Sequence, residues 1–309
     1  MRLTDAQWAE LLRVRATDPA AIAHAYATRR RRPLLRPGQH TLFLVAADHP
    51  ARGALAVGGD PTAMANRRSL LERLLTALEN PDVDGVLASP DVVEELLLLD
   101  ALHDKVVIGS MNRGGLAGAT WEIDDRFTGY DAESIARLRL DGGKLLLRLV
   151  DDDPGTIPTL EASAKAVTAL AANGLMAMVE PLPYRRVPPA DGASGPGRLE
   201  LLKDPASLAR AITVASALGT TSAYTWLKLP APASPEPLDA TTLPVLVLGG
   251  VPSKDPAQDL ASWGKALRHP VVRGLVVGRA LLYPPDGDVA AAVAAAAKTL
   301  QSVEADEDV

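Results

Sequence analysis

Lys228 stands in the stretch TSAYTWLKLP, residues 221–230, whose aromatic and β-branched residues and closing proline predict a buried strand. Counting by twos places Tyr224, Trp226 and Lys228 on one face and Thr225, Leu227 and Leu229 on the other. Burying an ammonium at the end of a strand is costly unless it has a partner. An amine kept partly neutral by desolvation and a neighbouring cation is a nucleophile toward a carbonyl; a lysine that has just left its strand merely points to water. A second group bears on that choice. Glu180 follows MAMV and precedes Pro181, which puts a carboxylate at the mouth of another apolar strand, where it must meet a cation or do proton work. Asp48-His49, before Pro50, ends a third such run; this pair either turns the chain or takes part in the chemistry.

These residues need elements to hold them. Two N-terminal helices are expected at 4–15 and 19–31, with Thr4 and Asp18 as caps. After the breaker Arg36-Pro37-Gly38 come eight apolar strands: TLFLVAADHP (41–50), VDGVLAS (83–89), KVVIGS (105–110), GKLLLRLV (143–150), LMAMVEP (175–181), the lysine strand, LPVLVLGG (243–250) and VVRGLVVGR (271–279). Helical spacing separates nearly all of them, at 62–79, 90–102, about 131–140, 157–173, 204–218, 255–267 and 287–302. A long loop, MNRGGLAGATWEIDDRFTGY, follows the third strand, and a Pro- and Gly-rich loop follows the fifth, carrying Arg185 and Arg186. Strands alternating with helices predict an α/β fold: a single (β/α)8 TIM barrel with two extra N-terminal helices. A doubly wound open sheet is the competitor, but the first turn here, AADHPARG, lacks the GxGxxG pattern. The expected organisation is an N-terminal helical extension over 1–36, the barrel over 37–302 and an acidic tail over 303–309.

In such a barrel, reactive groups sit where strands end and βα loops begin. Those positions hold Asp48 and His49; Ser110, Asn112 and Arg113; Arg148 and Asp151; Glu180; Lys228; Gly249 and Gly250; and Gly278 and Arg279. Lys144 and Arg148 share a phase but lie about 13 Å apart along one strand. With Arg148 at the rim, Lys144 lies deeper inside beside Glu180 and Lys228; the opposite register puts it outside at the bottom. The glycine pairs after the last two strands suit an anion approached by backbone N–H groups, with Arg279 as a bidentate contact, or else make tight turns. A metal centre is not expected: of five histidines only His49 is well placed, and there is no cysteine. No GxSxG elbow is present. What remains is lysine chemistry without a cofactor: Lys228 attacks a ketone or aldehyde, Lys144 depresses its pKa, and Glu180 moves protons.

This set resembles the class I, Schiff-base aldolase superfamily, which includes deoxyribose-phosphate, tagatose-bisphosphate and archaeal-type fructose-bisphosphate aldolases. The likeness is carried by Asp48-His49, Lys144 at the head of strand four, Glu180-Pro181, Lys228, Gly249-Gly250 and Gly278-Arg279. KLLLRLVDD, VEP and WLKLP are most similar to the tagatose-bisphosphate branch. SMNRGGLAG, DDRFTGYDA and DGGKLLLRL resemble an actinobacterial branch of (β/α)8 proteins that accompanies inositol-catabolism enzymes. The resemblance spans roughly residues 40–285. It implies that Lys228 forms the imine and that the substrate is a compound such as 5-dehydro-2-deoxygluconate 6-phosphate, cleaved to dihydroxyacetone phosphate and malonate semialdehyde. The loop GGVPSKD and the long third loop, with Arg113, Trp121 and Asp124-Asp125-Arg126, depart from the general aldolase pattern.

Composition narrows the alternatives. Hydrophobic residues make up 47% and charged residues 23% of the 309 positions, and aromatics only 4%, so alanine and leucine carry the core. A net charge of −6 argues against a nucleic-acid partner and offers no attraction to membranes. The basic run Arg29–Arg32 is expected to cap a helix, and MRLTDAQWAELL reads as a capped amphipathic helix rather than a signal peptide. No apolar run reaches the length of a membrane span. A cytoplasmic homo-oligomer acting on a small sugar phosphate is the expectation. Two other functions fit the same barrel: a sugar-phosphate-binding regulatory protein without catalysis, and an isomerase or epimerase using Glu180 and Asp48.

Overall fold

The computed structural model describes residues 2–189, 197–250, 252–253 and 255–307, without the side chains of 303–307. Eight parallel strands close into a barrel: β1 (Leu42–Ala47), β2 (Gly85–Ala88), β3 (Val106–Ser110), β4 (Gly142–Leu149), β5 (Met176–Val187), β7 (Thr225–Pro230), β8 (Val245–Leu248) and β9 (Val272–Val277). Closure is made by β1 pairing with both β2 and β9, and by β4 pairing with β5. Around it lie α3 (Arg67–Leu78), α4 (Pro90–Leu98), α5 (Ala132–Arg137), α6 (Thr156–Ala172), α7 (Pro205–Ser216), α8 (Pro256–Leu267), the short α9 (Arg279–Leu282) and α10 (Val289–Glu307). The fold is the (β/α)8 barrel that strand–helix alternation predicts.

The period of two along each strand divides its apolar residues between two cores. Phe43, Val45, Ala47, Leu145, Leu147, Leu227 and Leu229 face the helices in one continuous layer. Leu42, Leu44, Ala46, Ile108, Met176, Met178, Leu246 and Val276 fill the barrel, joined at its edge by Leu34, Leu35 and Trp226. The interior rows of β1, β2, β3, β5 and β7 run upward into a polar residue, whereas those of β8 and β9 end in Gly250 and Gly278.

The structure corrects the sequence reading in four places. Strand five does not stop at Pro181. It continues to Val187 and turns back antiparallel onto β6 (Arg198–Leu201), while residues 190–196 of the expected loop lie outside the described residues. The prolines are tolerated for a geometric reason. The odd-numbered N–H groups of β5 point toward β7, as that of Ala177 does to the Tyr224 carbonyl, but pairing with β7 ends at Val179. Pro181 therefore costs no ladder bond, and Pro183, where β6 takes over that side, keeps its carbonyl in the ladder by accepting the Leu202 N–H. Helices α1 (Asp5–Thr17) and α2 (Ala20–Thr28) both form, Thr4 capping the first through a reciprocal box with Gln7, but the cap position of the second is Pro19, and Asp18 instead closes the first. Arg29 stands at the C-cap position of α2, but its side chain and those of Arg31 and Arg32 are not spent on the helix end. They cross the bottom of the barrel, where Arg29 and Arg31 pair with Asp141 and Arg32 pairs with Asp84. The acidic stretch from 303 is helical through Glu307, and residues 308–309 lie outside the described residues.

Candidate active site

The interior rows bring four charged side chains together at the carboxyl end of the barrel. After Leu42, Leu44 and Ala46, two more residues bring the row to Asp48; Met176 and Met178 lead to Glu180, and Trp226 to Lys228. Lys144 pairs in register with Ser110 on one side and Met178 on the other, which sets its side chain inside, below Arg148. Asp48 is 1%, Lys144 2%, Lys228 3% and Glu180 8% exposed. The Lys144 ammonium lies 2.5 Å from Glu180 Oε2 and 3.2 Å from Asp48 Oδ2, and the Lys228 ammonium 3.3 Å from Glu180 Oε1. Glu180 thus bridges two amines, one on each neighbouring side of its strand. Lys228 does not point to water.

Burial and charge act against each other here. Burial alone raises the Glu180 carboxyl, but Lys144 and then Lys228 more than reverse it and hold the group at about 2. Asp48 is likewise raised by burial and driven well below the ordinary aspartate range by Lys144, Arg113, Lys228 and His49. Lys144 moves the other way, down to about 8: desolvation is the main cause and the Arg113 guanidinium the next, opposed by Asp48 and Glu180. His49 is lowered to about 3 by desolvation, which outweighs the adjacent Asp48 and is helped by Arg279. A neutral imidazole is the result, with Nδ1 3.8 Å from Asp48 Oδ1 and without a hydrogen-bond partner.

The other residues singled out in the sequence occupy the rim. Gly278 permits a close approach between strand ends, since a Cβ there would sit 2.5 Å from the Ala46 carbonyl and 2.8 Å from His49 Cε1. Arg279 begins α9 directly above, with long 3.4 Å contacts to the Ala56 and Gly250 carbonyls and a buried Nε that has no partner. No carboxylate among the described residues pairs with it. Gly250 takes a left-handed φ of 63°, and Gly249 packs against Val277; Val251 and Lys254 of the same loop lie outside the described residues. Arg148 is not left open for a ligand. It is buried against the third loop, ion-paired to Glu122 and Asp125 and donating to the Gly115 carbonyl.

Three groups without a role in the sequence reading also stand here. Ser110 Oγ donates to Asp48 Oδ2 at 3.1 Å, and Arg113 Nη1 lies 3.1 Å from the same oxygen. Arg52, one helical turn past His49, shares Glu122 with Arg148 and adds positive charge near Arg279. Ser110 and Arg113 stand at a strand end and could have been chosen on that ground; Arg52 could not, because it reaches the rim only through the fold of its loop. Asn112 is occupied structurally, exchanging two hydrogen bonds with the backbone of Leu146. Among the described residues no three histidine, aspartate or glutamate side chains converge as a metal site, and no helix is long and apolar enough to cross a membrane.

The chain belongs to the Cgl0159-like family, which matches residues 40–297. The Cgl0159 protein of Corynebacterium glutamicum, a solved structure, is 46% identical, with a TM-score of 0.91 over 97% of this chain and 98% of that one. An archaeal fructose 1,6-bisphosphate aldolase is similar in fold alone, at 15% identity and a TM-score of 0.59 over 91% of this chain and 99% of that one. So is a fructose-bisphosphate aldolase from Slackia heliotrinireducens, at 16% identity and a TM-score of 0.62 over 94% and 89% of the two chains. No curated protein matches the chain.

Proposed function

We propose that the protein is a class I aldolase that forms an imine between Lys228 and a phosphorylated keto sugar or sugar acid and cleaves its carbon–carbon bond without a metal. The observation that carries this reading is the Lys228–Glu180–Lys144 bridge, two buried amines sharing one carboxylate at 3.3 and 2.5 Å. The fold likeness to aldolases, one of them described as forming a Schiff base, supports it at the level of architecture. Glu180 is held too acidic to keep a proton, so it serves as a conduit between the amines. Lys144, lowered to about 8, is poised to exchange a proton near neutral pH.

In this mechanism the Lys228 ammonium gives up a proton through Glu180 to neutral Lys144, and the free amine adds to the ketone carbon. Lys144 returns a proton to the carbinolamine oxygen, which leaves as water, giving the protonated imine. Asp48 or Glu180 then removes the proton from the hydroxyl β to the imine carbon. The carbon–carbon bond breaks, its electron pair flows into the iminium to form an enamine, and an aldehyde departs. Protonation of the enamine carbon and addition of water release the ketone and restore Lys228. Arg279, which no carboxylate among the described residues pairs with, with Gly249, Gly250 and Gly278 beside it, would take the phosphate; neutral His49 completes the rim, and Arg148 braces it through Glu122 and Asp125. Within this class, 5-dehydro-2-deoxygluconate 6-phosphate is the first substrate to try.

The test is borohydride reduction in the presence of dihydroxyacetone phosphate, followed by peptide mapping. One adduct at Lys228, absent in Lys228→Ala, is expected. The lowered amine of Lys144 makes it the competing nucleophile, and an adduct there would reverse the two roles. If folded protein yields no adduct with any ketose phosphate, imine chemistry is removed.

A further inference from the structure

Asp48 Oδ2 receives Ser110 Oγ at 3.1 Å, Lys144 Nζ at 3.2 Å and Arg113 Nη1 at 3.1 Å, three donors on an oxygen with two lone pairs. They compete for it. Arg113 is 4% exposed and held from behind, its Nε donating to its neighbour's carbonyl on Asn112 at 2.6 Å, while Asn112 is locked to Leu146. Its Nη2 is buried without a partner. The loop carboxylates beyond it are ion-paired outward, Glu122 to Arg52 and Arg148 and Asp125 to Arg148, although Asp125 also acts on Arg113.

The centre itself is not matched. Two carboxylates, Asp48 and Glu180, face three cations, Lys144, Lys228 and Arg113. A guanidinium does not give up its proton, whereas a desolvated ammonium does. The surplus charge therefore falls on an amine. Without Arg113, two lysines and two carboxylates would balance, and Lys144 would lose the largest charge acting against its proton, with desolvation left to act alone beside Lys228.

We propose that Arg113 is a positioning residue of the lysine centre, engaging the Asp48 carboxylate in competition with Lys144 so that Lys144 gives up its proton more readily. This rests on the aldolase reading for its consequence in turnover but not for its physical basis. The groups facing Lys144 are Asp48 and His49 from the first βα turn, Arg113 and Asp125 from the third loop, Glu180 on β5 and Lys228 on β7. Of these, only Arg113 is a cation that is fixed in place by its own loop and unable to titrate.

The experiment is a titration of lysine-labelled protein by carbon-13 NMR, with the Lys144 resonance assigned from Lys144→Met. The wild-type signal is expected to titrate near pH 8. Removing the charge in Arg113→Met or Arg113→Gln, either of which suffices if the other does not fold, should move that midpoint up by about one pH unit or more. Arg113→Lys, which keeps a cation, should stay nearer to wild type. In parallel, the acid limb of borohydride trapping at Lys228 should follow the same midpoint, so that trapping at pH 7 slows about tenfold and recovers at higher pH. A residue that only braced the loop would lower trapping equally at every pH. An unmoved Lys144 midpoint in folded Arg113→Met or Arg113→Gln overturns the proposal, whatever the turnover. A shifted midpoint without any Lys228 adduct in wild type supports it and removes the aldolase reading instead.

Discussion

Both ends of this barrel bury charge, and they do it differently. At the bottom the cations are guanidiniums. The Arg29 side chain is fully buried, donating to the Lys105 carbonyl and lying 3.3 Å from Asp141; Arg32 reaches Asp84 at 2.6 Å and also bonds Gln39 and two backbone carbonyls. Both carboxylates also accept a backbone N–H at 2.8 Å, Asp84 from Phe43 and Asp141 from Val107. At the top Asp48 and Glu180 face two ammoniums and the Arg113 guanidinium, and the contacts described for these carboxylates come from side chains. Guanidiniums with many fixed acceptors cannot exchange protons and hold the chain where it crosses. Ammoniums sharing carboxylates can pass a proton between them. The same two kinds of charge make a clamp at one end and a relay at the other.

The comparison can be broken from either side. The largest effect is expected at the top: Lys228→Ala should lower any aldol cleavage on the order of 10⁴-fold in steady-state assays while the protein stays folded. Next, Asp141→Ala at the bottom should cost about 3–5 kcal/mol in denaturant unfolding, because it leaves buried Arg29 without its carboxylate, with turnover per folded molecule unchanged. If activity fell as much as stability, the two ends would not be separate.

The effect of pH is read at the top through two groups. His49, lowered from 6.5 to about 3, and Glu180, lowered from 4.5 to about 2, both bind protons more readily in the unfolded chain. Stability from both is therefore present above pH 6.5 and is lost as pH falls, first across the histidine window and then between 4.5 and about 2. A melting series should show that decline, with the part between pH 6.5 and 3 flattened in His49→Gln. The smallest effect belongs to Arg31→Ala, under about 1 kcal/mol, since Arg31 is 39% exposed and Asp141 keeps Arg29 and the Val107 N–H.

Much of this was legible along the chain, for reasons that differ by residue. Lys228, Glu180 and Asp48 each end an apolar run, and the two-residue period of a strand sends each inward with its row. Lys144 stands at the start of its strand, so its depth waited on the register between β3, β4 and β5. Arg148 has the same phase but spends its guanidinium on Glu122 and Asp125, more than twenty residues away in sequence. Gly115 makes that possible, because a Cβ there would collide with the Glu122 carbonyl and with Arg148 itself. The hairpin of β5 and β6 was hidden by Pro181 and Pro183, which look like breakers until the side on which pairing ends is known.

The chain alone decided the strand–helix alternation, the inward face of each strand and the residue types standing at the strand ends, because these follow from short periods and local chemistry. Only the closed barrel decided which of those ends meet. Asp48 and Lys144 are 96 positions apart, yet their charged atoms come within 3.2 Å because β1 and β4 enclose the same interior. The third cation beside them, Arg113, owes its place to a loop whose course is set by partners on β4 and beyond. Charge in a dry interior acts over a few ångströms of space, and sequence separation does not measure that distance.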